Sequence, residues 1–183
     1  MKLSKTLLFV GAALLNTGAG ANDLPPIKPV DQVDLPRFMG NWYVIATIPT
    51  RFEKDAYNAV EAYALKPSGD VATTFHFRAG SFEGKAKQIH SVGFVKEETG
   101  NAVWGVQVFW PLKMQYIVAY LNADYSQVIV ARDARDYVWV MARTSTLSQA
   151  DYEALVARVN ALGYDVSKLR KVPQQWASPG RIP

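Results

Sequence analysis

The chain contains no cysteine. That excludes a disulfide framework, thiolate metal sites and a cysteine nucleophile, and it removes the residue on which a lipid anchor is built. Histidine is scarce as well. His76 and His90 are the only two, 14 residues apart, and neither has another metal-ligand residue type at close spacing. They read as solvated or locally satisfied side chains. There is no Gly-x-Ser-x-Gly elbow and no glycine-rich phosphate loop. Ser148 is better explained as a helix cap than as a nucleophile. Asp124, Asp133 and Asp136 sit in turns, where aspartate is favoured for backbone reasons, and Lys96-Glu97-Glu98 reads as a solvated turn. No catalytic residue, metal or cofactor is therefore expected. Large charge of one sign is missing too: 20 Lys+Arg stand against 16 Asp+Glu. No basic stripe concentrates the surplus, so the pI of about 9.2 is a poor argument for nucleic-acid binding.

The longest apolar run lies at the N-terminus. Lys2 and Lys5 precede Leu7 to Leu15, and Ala19-Gly20-Ala21 supplies small residues after them. This three-part layout predicts a secretory signal peptide over 1–21 and a mature chain starting at Asn22, exported to the periplasm or medium. No other apolar run reaches the ~18 residues of a membrane-spanning helix. Residues 22–34 are proline-rich (Pro25, Pro26, Pro29) and predict an extended lead-in. One domain is expected over 35–176, with a tail over 177–183.

From Gly40 to Thr144 the sequence alternates strand-like runs with turn chemistry. The predicted strands are 42–48, 58–65, 71–78, 85–95, 102–109, 115–121, 127–132 and 137–144. Pro67-Ser68-Gly69-Asp70, Ala79-Gly80, Thr99-Gly100-Asn101 and Asp133-Ala134-Arg135-Asp136 separate them. Regular spacing with no intervening helix argues for an antiparallel meander, and eight strands can close into a barrel holding one small ligand. The first link, 49–56, is longer and charged and carries Phe52, a candidate lid. One helix follows the strands. Ser148 is a good N-cap with Asp151 three residues on, and Leu147 with Tyr152 can form a staple. Tyr152, Leu155, Val156, Val159 and Leu162 make one apolar stripe, and Gly163 suits the C-terminal turn. Such a helix packs on the outside of a barrel. The segment 166–172 is expected to add a short strand.

Three short motifs recur in order along this pattern: Gly40-Asn41-Trp42-Tyr43 after the turn Leu35-Pro36-Arg37-Phe38-Met39, Asn122-Ala123-Asp124-Tyr125 between two strands, and Arg143 at the end of Tyr137-Val138-Trp139-Val140-Met141-Ala142. Together they resemble the lipocalins, in the bacterial group close to apolipoprotein D, over roughly 35–174. The resemblance implies an all-β, eight-stranded antiparallel up-and-down β-barrel with one C-terminal α-helix packed outside. It assigns Gly40, Trp42 and Arg143 to a structural floor, with the guanidinium across the indole. The best-known bacterial members carry a lipid-modified cysteine that this chain lacks, so anchoring through cysteine is not expected.

Strand alternation then selects an inner face. Gln107 faces water, which turns Trp104, Val106 and Val108 inward. Thr74, His76 and Arg78 go outward, which turns Thr73, Phe75 and Phe77 in. Over 116–120 both faces are apolar, and the resemblance favours Tyr116, Val118 and Tyr120 inside. It also makes the face of Tyr137, Trp139 and Met141 internal. Tyr63 faces in on a parity that also turns Glu61 inward. The expected ligand wall is Tyr63, Phe75, Phe77, Trp104, Val106, Val108, Tyr116, Val118, Tyr120 and Trp139, each of which can equally serve as packed core. The implied function is an exported binder, store or carrier of a lipid (a fatty acid or lysophospholipid) or a similar small hydrophobic ligand, with room for a peripheral contact with the envelope membrane. Two alternatives stay open: a lipid-directed enzyme using the same cavity, and a ligand-free envelope interaction module.

Overall fold

The computed structural model describes residues 24–51 and 53–176. The expected signal segment 1–21, Phe52 of the loop 49–56, and the tail 177–183 lie outside the described residues. Among the described residues nine strands form one sheet: β1 Gly40–Ile48, β2 Ala56–Leu65, β3 Val71–Ala79, β4 Ala86–Lys96, β5 Val103–Phe109, β6 Leu112–Leu121, β7 Gln127–Ala131, β8 Val138–Ala142 and β9 Arg170–Lys171. The first eight run up and down in antiparallel pairs. β1 pairs with both β8 and β2, which closes the barrel.

The closure is uneven. The first half of β1 pairs with β2 through Gly40↔Tyr63 to Tyr43↔Val60. Beyond that the two strands part, and the C-terminal segment wedges into the seam. β9 pairs with β1 at Ala46↔Lys171 and Thr47↔Arg170. On the other side Asn58 donates its backbone N–H to Pro173 at 2.9 Å, and Gln174 Nε2 bridges the carbonyls of Val44 (2.9 Å) and Ala59 (3.0 Å). Unpaired strand groups would cost free energy if buried there, so this segment is part of the barrel wall. The expected strand over 166–172 is reduced to β9, because Asp165 caps a 3-10 turn over Val166–Lys168.

Helix α2, Gln149–Ala161, begins as the capping residues predict: Ser148 Oγ accepts from the Asp151 N–H at 3.1 Å and donates to Asp151 Oδ2 at 2.6 Å. Its stripe buries Leu155 and Val159 against the outward faces of β1, β6, β7 and β8, among them Ala46, Ile117, Ile129, Val138 and Val140. Each such burial stabilises by about 1.5–3 kcal/mol. Tyr164, just after the helix, locks it to the barrel. Its hydroxyl accepts from the Arg132 N–H at 2.8 Å and lies 2.9 Å from the Tyr137 carbonyl, to which it donates.

The lead-in is extended and stitched on. Ile27 N–H donates to Asp133 Oδ1 (2.7 Å), Val30 N–H to the Val118 carbonyl (2.9 Å), and Val33 N–H to the Gly100 carbonyl (2.8 Å). The turn expected before Gly40 is instead one turn of helix, α1 Leu35–Phe38, N-capped by Asp34 with Pro36 in its first turn. It pushes fully buried Val33 and Phe38 into the closed end of the barrel.

Candidate functional site

The floor is an aromatic layer. Phe38 lies 5.2 Å from Trp42, 5.5 Å from Tyr63 and 5.5 Å from Trp104, centroid to centroid. Trp104 stacks on Tyr116 at 4.6 Å with the rings 5° from parallel. A Cβ on Gly93 would come within 3.0 Å of the Trp104 ring, so the bare backbone of β4 makes the space that this indole fills. The two indole N–H groups are satisfied by backbone: Trp42 donates to the Phe38 carbonyl (2.8 Å) and Trp104 to the Asn101 carbonyl (2.7 Å).

Arg143 seals this layer from below. Its guanidinium carbon lies 3.8 Å from the Trp42 ring centroid. Its nitrogens donate to four carbonyls: Asn41 (2.9 Å), Arg37 (2.8 Å), Phe38 (3.0 Å) and Tyr125 (3.3 Å). One side chain thus ties α1, the start of β1 and the β6–β7 turn to the end of β8. Partial burial lowers its pKa from the ordinary value, with the Tyr63 hydroxyl acting the other way. Gly40 has φ +89°, and a Cβ there would lie 3.5 Å from Arg143 Nη1, so a left-handed backbone lets the chain turn beneath the guanidinium.

Above the floor lies a cavity of about 460 Å³. It is open between the loops that join β1 to β2, β3 to β4, β5 to β6 and β7 to β8. Its wall takes Tyr63 from β2, Thr73 and Phe75 from β3, Ile89 and Ser91 from β4, Val106, Val108 and Phe109 from β5, Met114 and Tyr116 from β6, and Tyr137, Trp139 and Met141 from the last strand and its approach. Thr50, Arg51, Glu53, Leu112 and Gln115 complete the rim and upper wall, and Glu61 stands among the lower residues.

Six of the ten residues expected on the ligand wall meet there: Tyr63, Phe75, Val106, Val108, Tyr116 and Trp139. Phe77 is inward and buried but stacks on Phe75 at 4.9 Å outside the cavity wall. Trp104 and Val118 face in and are fully buried in the core below the cavity. Tyr120 is a correction. The β6–β7 register slips between Val118 and Tyr120, and a bulge of one residue reverses which face the following side chains take. Tyr120 therefore lies on the outer face with the helix, the Arg158 guanidinium 4.2 Å from its ring, and Leu121 packs against the interior core in its place.

Below Arg51 and Gln115 of the upper wall, the polar groups of the cavity are acids and hydroxyls. The Tyr63 and Tyr116 hydroxyls hydrogen-bond to each other at 2.9 Å, and burial raises both pKa values above the ordinary range. Glu53 Oε2 accepts from the Thr50 N–H (3.2 Å) and the Trp139 indole N–H (3.3 Å), which joins the first loop to β8. Burial raises its pKa, partly offset by those two bonds. Glu61 is raised well above the ordinary carboxyl value, first by burial and then by the charge of Glu53. Glu53 and Glu61 were not among the expected site residues. The only signal for Glu61 was its shared parity with Tyr63.

The family profile described as a lipocalin-like domain matches residues 33–174. The chain is a lipocalin. Temperature-induced lipocalin-1 of Arabidopsis thaliana is 30% identical over 161 residues, covering 84% of this chain and 86% of the plant protein. The outer membrane lipoprotein Blc of Escherichia coli K12 is 28% identical over 176 residues, covering 95% and 98%. Apolipoprotein D of Macaca fascicularis is 28% identical over 160 residues, covering 82% and 81%. Among solved structures, insecticyanin from the tobacco hornworm aligns with a TM-score of 0.61 at 15% identity, covering 85% of this lipocalin and 93% of insecticyanin. Apocrustacyanin C2 aligns with a TM-score of 0.63 at 9% identity, covering 80% and 82%. These structural likenesses bear on the fold alone. Lipocalins generally bind small hydrophobic ligands and are typically binding proteins without enzymatic activity.

Proposed function

We propose that this lipocalin is exported and binds a single-chain lipid in its cup, a fatty acid or a lysophospholipid. The carrying observation is the cavity itself: about 460 Å³, closed at one end and walled mainly by aromatic and aliphatic side chains. That volume lies in the range of pockets that bury most of a drug-sized molecule. Each Å² of chain removed from water stabilises the complex by about 25 cal/mol before association costs are subtracted. An anionic head belongs at the rim beside Arg51, the one basic side chain on the described cavity wall. The names of the Escherichia coli relatives, outer membrane lipoproteins, support an envelope location, and the signal layout of 1–21 supports export.

Exposed Phe109, Trp110 and Leu112 form the tip of the β5–β6 hairpin at the cavity mouth. That is a suitable contact for a membrane from which a lipid is taken. A carrier is favoured over an enzyme because the cavity wall is mainly aromatic and aliphatic and, among the described residues, carries no histidine and no cluster that could hold a metal ion. Titrating a fatty acid or lysophospholipid into the protein should quench or shift tryptophan emission saturably, and Trp139→Phe should remove part of that signal. Saturable binding by neither lipid class up to ~1 mM, a free energy of only about −4 kcal/mol, would overturn the reading.

A further inference from the structure

Glu61 has no structural employment that its surroundings explain. It sits on β2 opposite Trp42 of β1 and Phe75 of β3, so neither cross-strand neighbour offers it a hydrogen bond from a charged or hydroxyl group. Its Oε2 is buried without a hydrogen-bond partner, and so is Thr73 Oγ1. Thr73 faces Tyr63 across the β2–β3 pair, which makes it the diagonal neighbour of Glu61, a spacing of about 7–8 Å. Both side chains line the cavity. The nearby hydroxyls of Tyr63 and Tyr116 hydrogen-bond to each other, and neither is bonded to Glu61. A buried polar group left unmatched is destabilising, and more so when it carries charge. Two such oxygens on one patch of wall mark a place where a ligand completes the hydrogen bonding.

We propose that Glu61, with Thr73 beside it, is an internal subsite for the ammonium group of an aliphatic amine, which enters the cup polar end first. This deepens the reading of the cavity as a ligand cup and rests on it. The sign of the charge decides the class. An anionic head at this depth would meet Glu61 with Glu53 above it, and the one basic side chain on the described cavity wall, Arg51, belongs to the first loop at the rim. An ammonium brings three donors and the opposite charge into an environment where electrostatic pairing is stronger than in water. An alcohol brings one donor and no charge. The rim suits the other end of such a ligand: Phe109 and Leu112 line the mouth and are 65% and 74% exposed, an apolar lip over which an alkyl tail can leave.

The charged and titratable groups that share the cavity wall with Glu61 are Glu53 and Arg51 on the first loop, Tyr63 on β2, Tyr116 on β6 and Tyr137 before β8, and of these Glu53 acts on its charge. Burial and Glu53 together favour the protonated carboxyl. Taking up an ammonium therefore expels a proton, and amine affinity rises with pH for as long as the amine stays charged.

The test uses three probes with one chain: dodecylamine, dodecanol and dodecanoate, titrated calorimetrically into the purified protein at neutral pH. The expected result is dodecylamine at least tenfold tighter than dodecanol, with the ratio growing as pH is raised. Glu61→Gln should cut the amine-to-alcohol ratio to below about threefold and abolish its pH slope, in a variant shown by thermal melting to be folded. Thr73→Val should lower the same ratio by a smaller factor. Equal affinity for amine and alcohol, tighter binding of dodecanoate than dodecylamine, or an unchanged ratio in folded Glu61→Gln would each overturn the subsite while leaving the cup reading intact. Binding of none of the three probes would overturn the cup itself.

Discussion

Truncating Arg143 to alanine removes a guanidinium that does two things at once. It covers the Trp42 ring at 3.8 Å, an arrangement that contributes about 0.5–2 kcal/mol. It also donates to four backbone carbonyls that belong to three segments of chain distant from it in sequence. Hydrogen bonds from a charged donor contribute about 1.5–3 kcal/mol when buried. The bonds to Asn41 and Arg37 are solvent-exposed, and water will replace much of what they lose. The bonds to Phe38 and Tyr125 are partly buried and less easily replaced. Taking the stack with a fraction of the hydrogen bonding, the expected loss is about 2–4 kcal/mol. Urea melts followed by far-UV circular dichroism read this directly, as a lower midpoint with an unchanged slope. Arg143→Lys should fall between the two, because an ammonium keeps the charge and loses the planar fork. Lipid affinity should fall less than stability, since Arg143 lies beneath the floor and the cavity above it. A loss under ~0.5 kcal/mol, the ordinary range for an exposed surface change, would refute the floor assignment.

Other substitutions probe separate parts of the molecule. Gly40→Ala forces a Cβ onto a residue at φ +89° and should cost about 1–2 kcal/mol by the same urea melts, with no effect in a double variant beyond additivity if Arg143 is unaffected. Tyr164→Phe leaves the Arg132 N–H and the Tyr137 carbonyl unmatched under the helix and should cost about 1–3 kcal/mol, with the loss visible in thermal melts. Glu61→Gln should stabilise the protein at neutral and alkaline pH. A carboxyl whose folded pKa lies above its ordinary 4.5 keeps its proton when the unfolded chain has lost it, so the parent weakens as pH rises from about 4.5 towards the folded pKa. Melting temperatures measured from pH 4 to 9 should therefore show a gap between variant and parent that widens with pH.

Much of the fold was legible because barrel strands declare themselves twice, by alternation and by the turns between them. Ser148 and Asp151 announced the helix start, and Leu155 and Val159 its buried face. The helix α1 was invisible because four residues carry no periodicity, and only Asp34 before Leu35-Pro36 hinted at a cap. The site was legible in direction but not in depth. Parity turns Trp104 and Val118 inward, yet whether an inward residue meets cavity or floor depends on height along the barrel, which alternation does not encode. Tyr120 shows the other limit. Ile117 to Tyr120 is apolar on both faces, because one face packs inside and the other under α2. Nothing in such a run reveals a bulge, and one slipped residue reverses the assignment. Glu61 was hidden for the opposite reason: a carboxylate on an apolar strand face argues against its own parity, and function is where such local conflicts collect.

The cup is tested most directly by native mass spectrometry of the purified protein titrated with a lysophospholipid or fatty acid, beside a variant in which the cavity is filled. Val106 lines the middle of the cavity wall, and Val106→Trp should occupy the space where a chain would lie. The account predicts one lipid bound per chain in the parent and none in the folded variant. A parent that stays free of lipid up to ~1 mM, or a variant that binds as well as the parent, would contradict it.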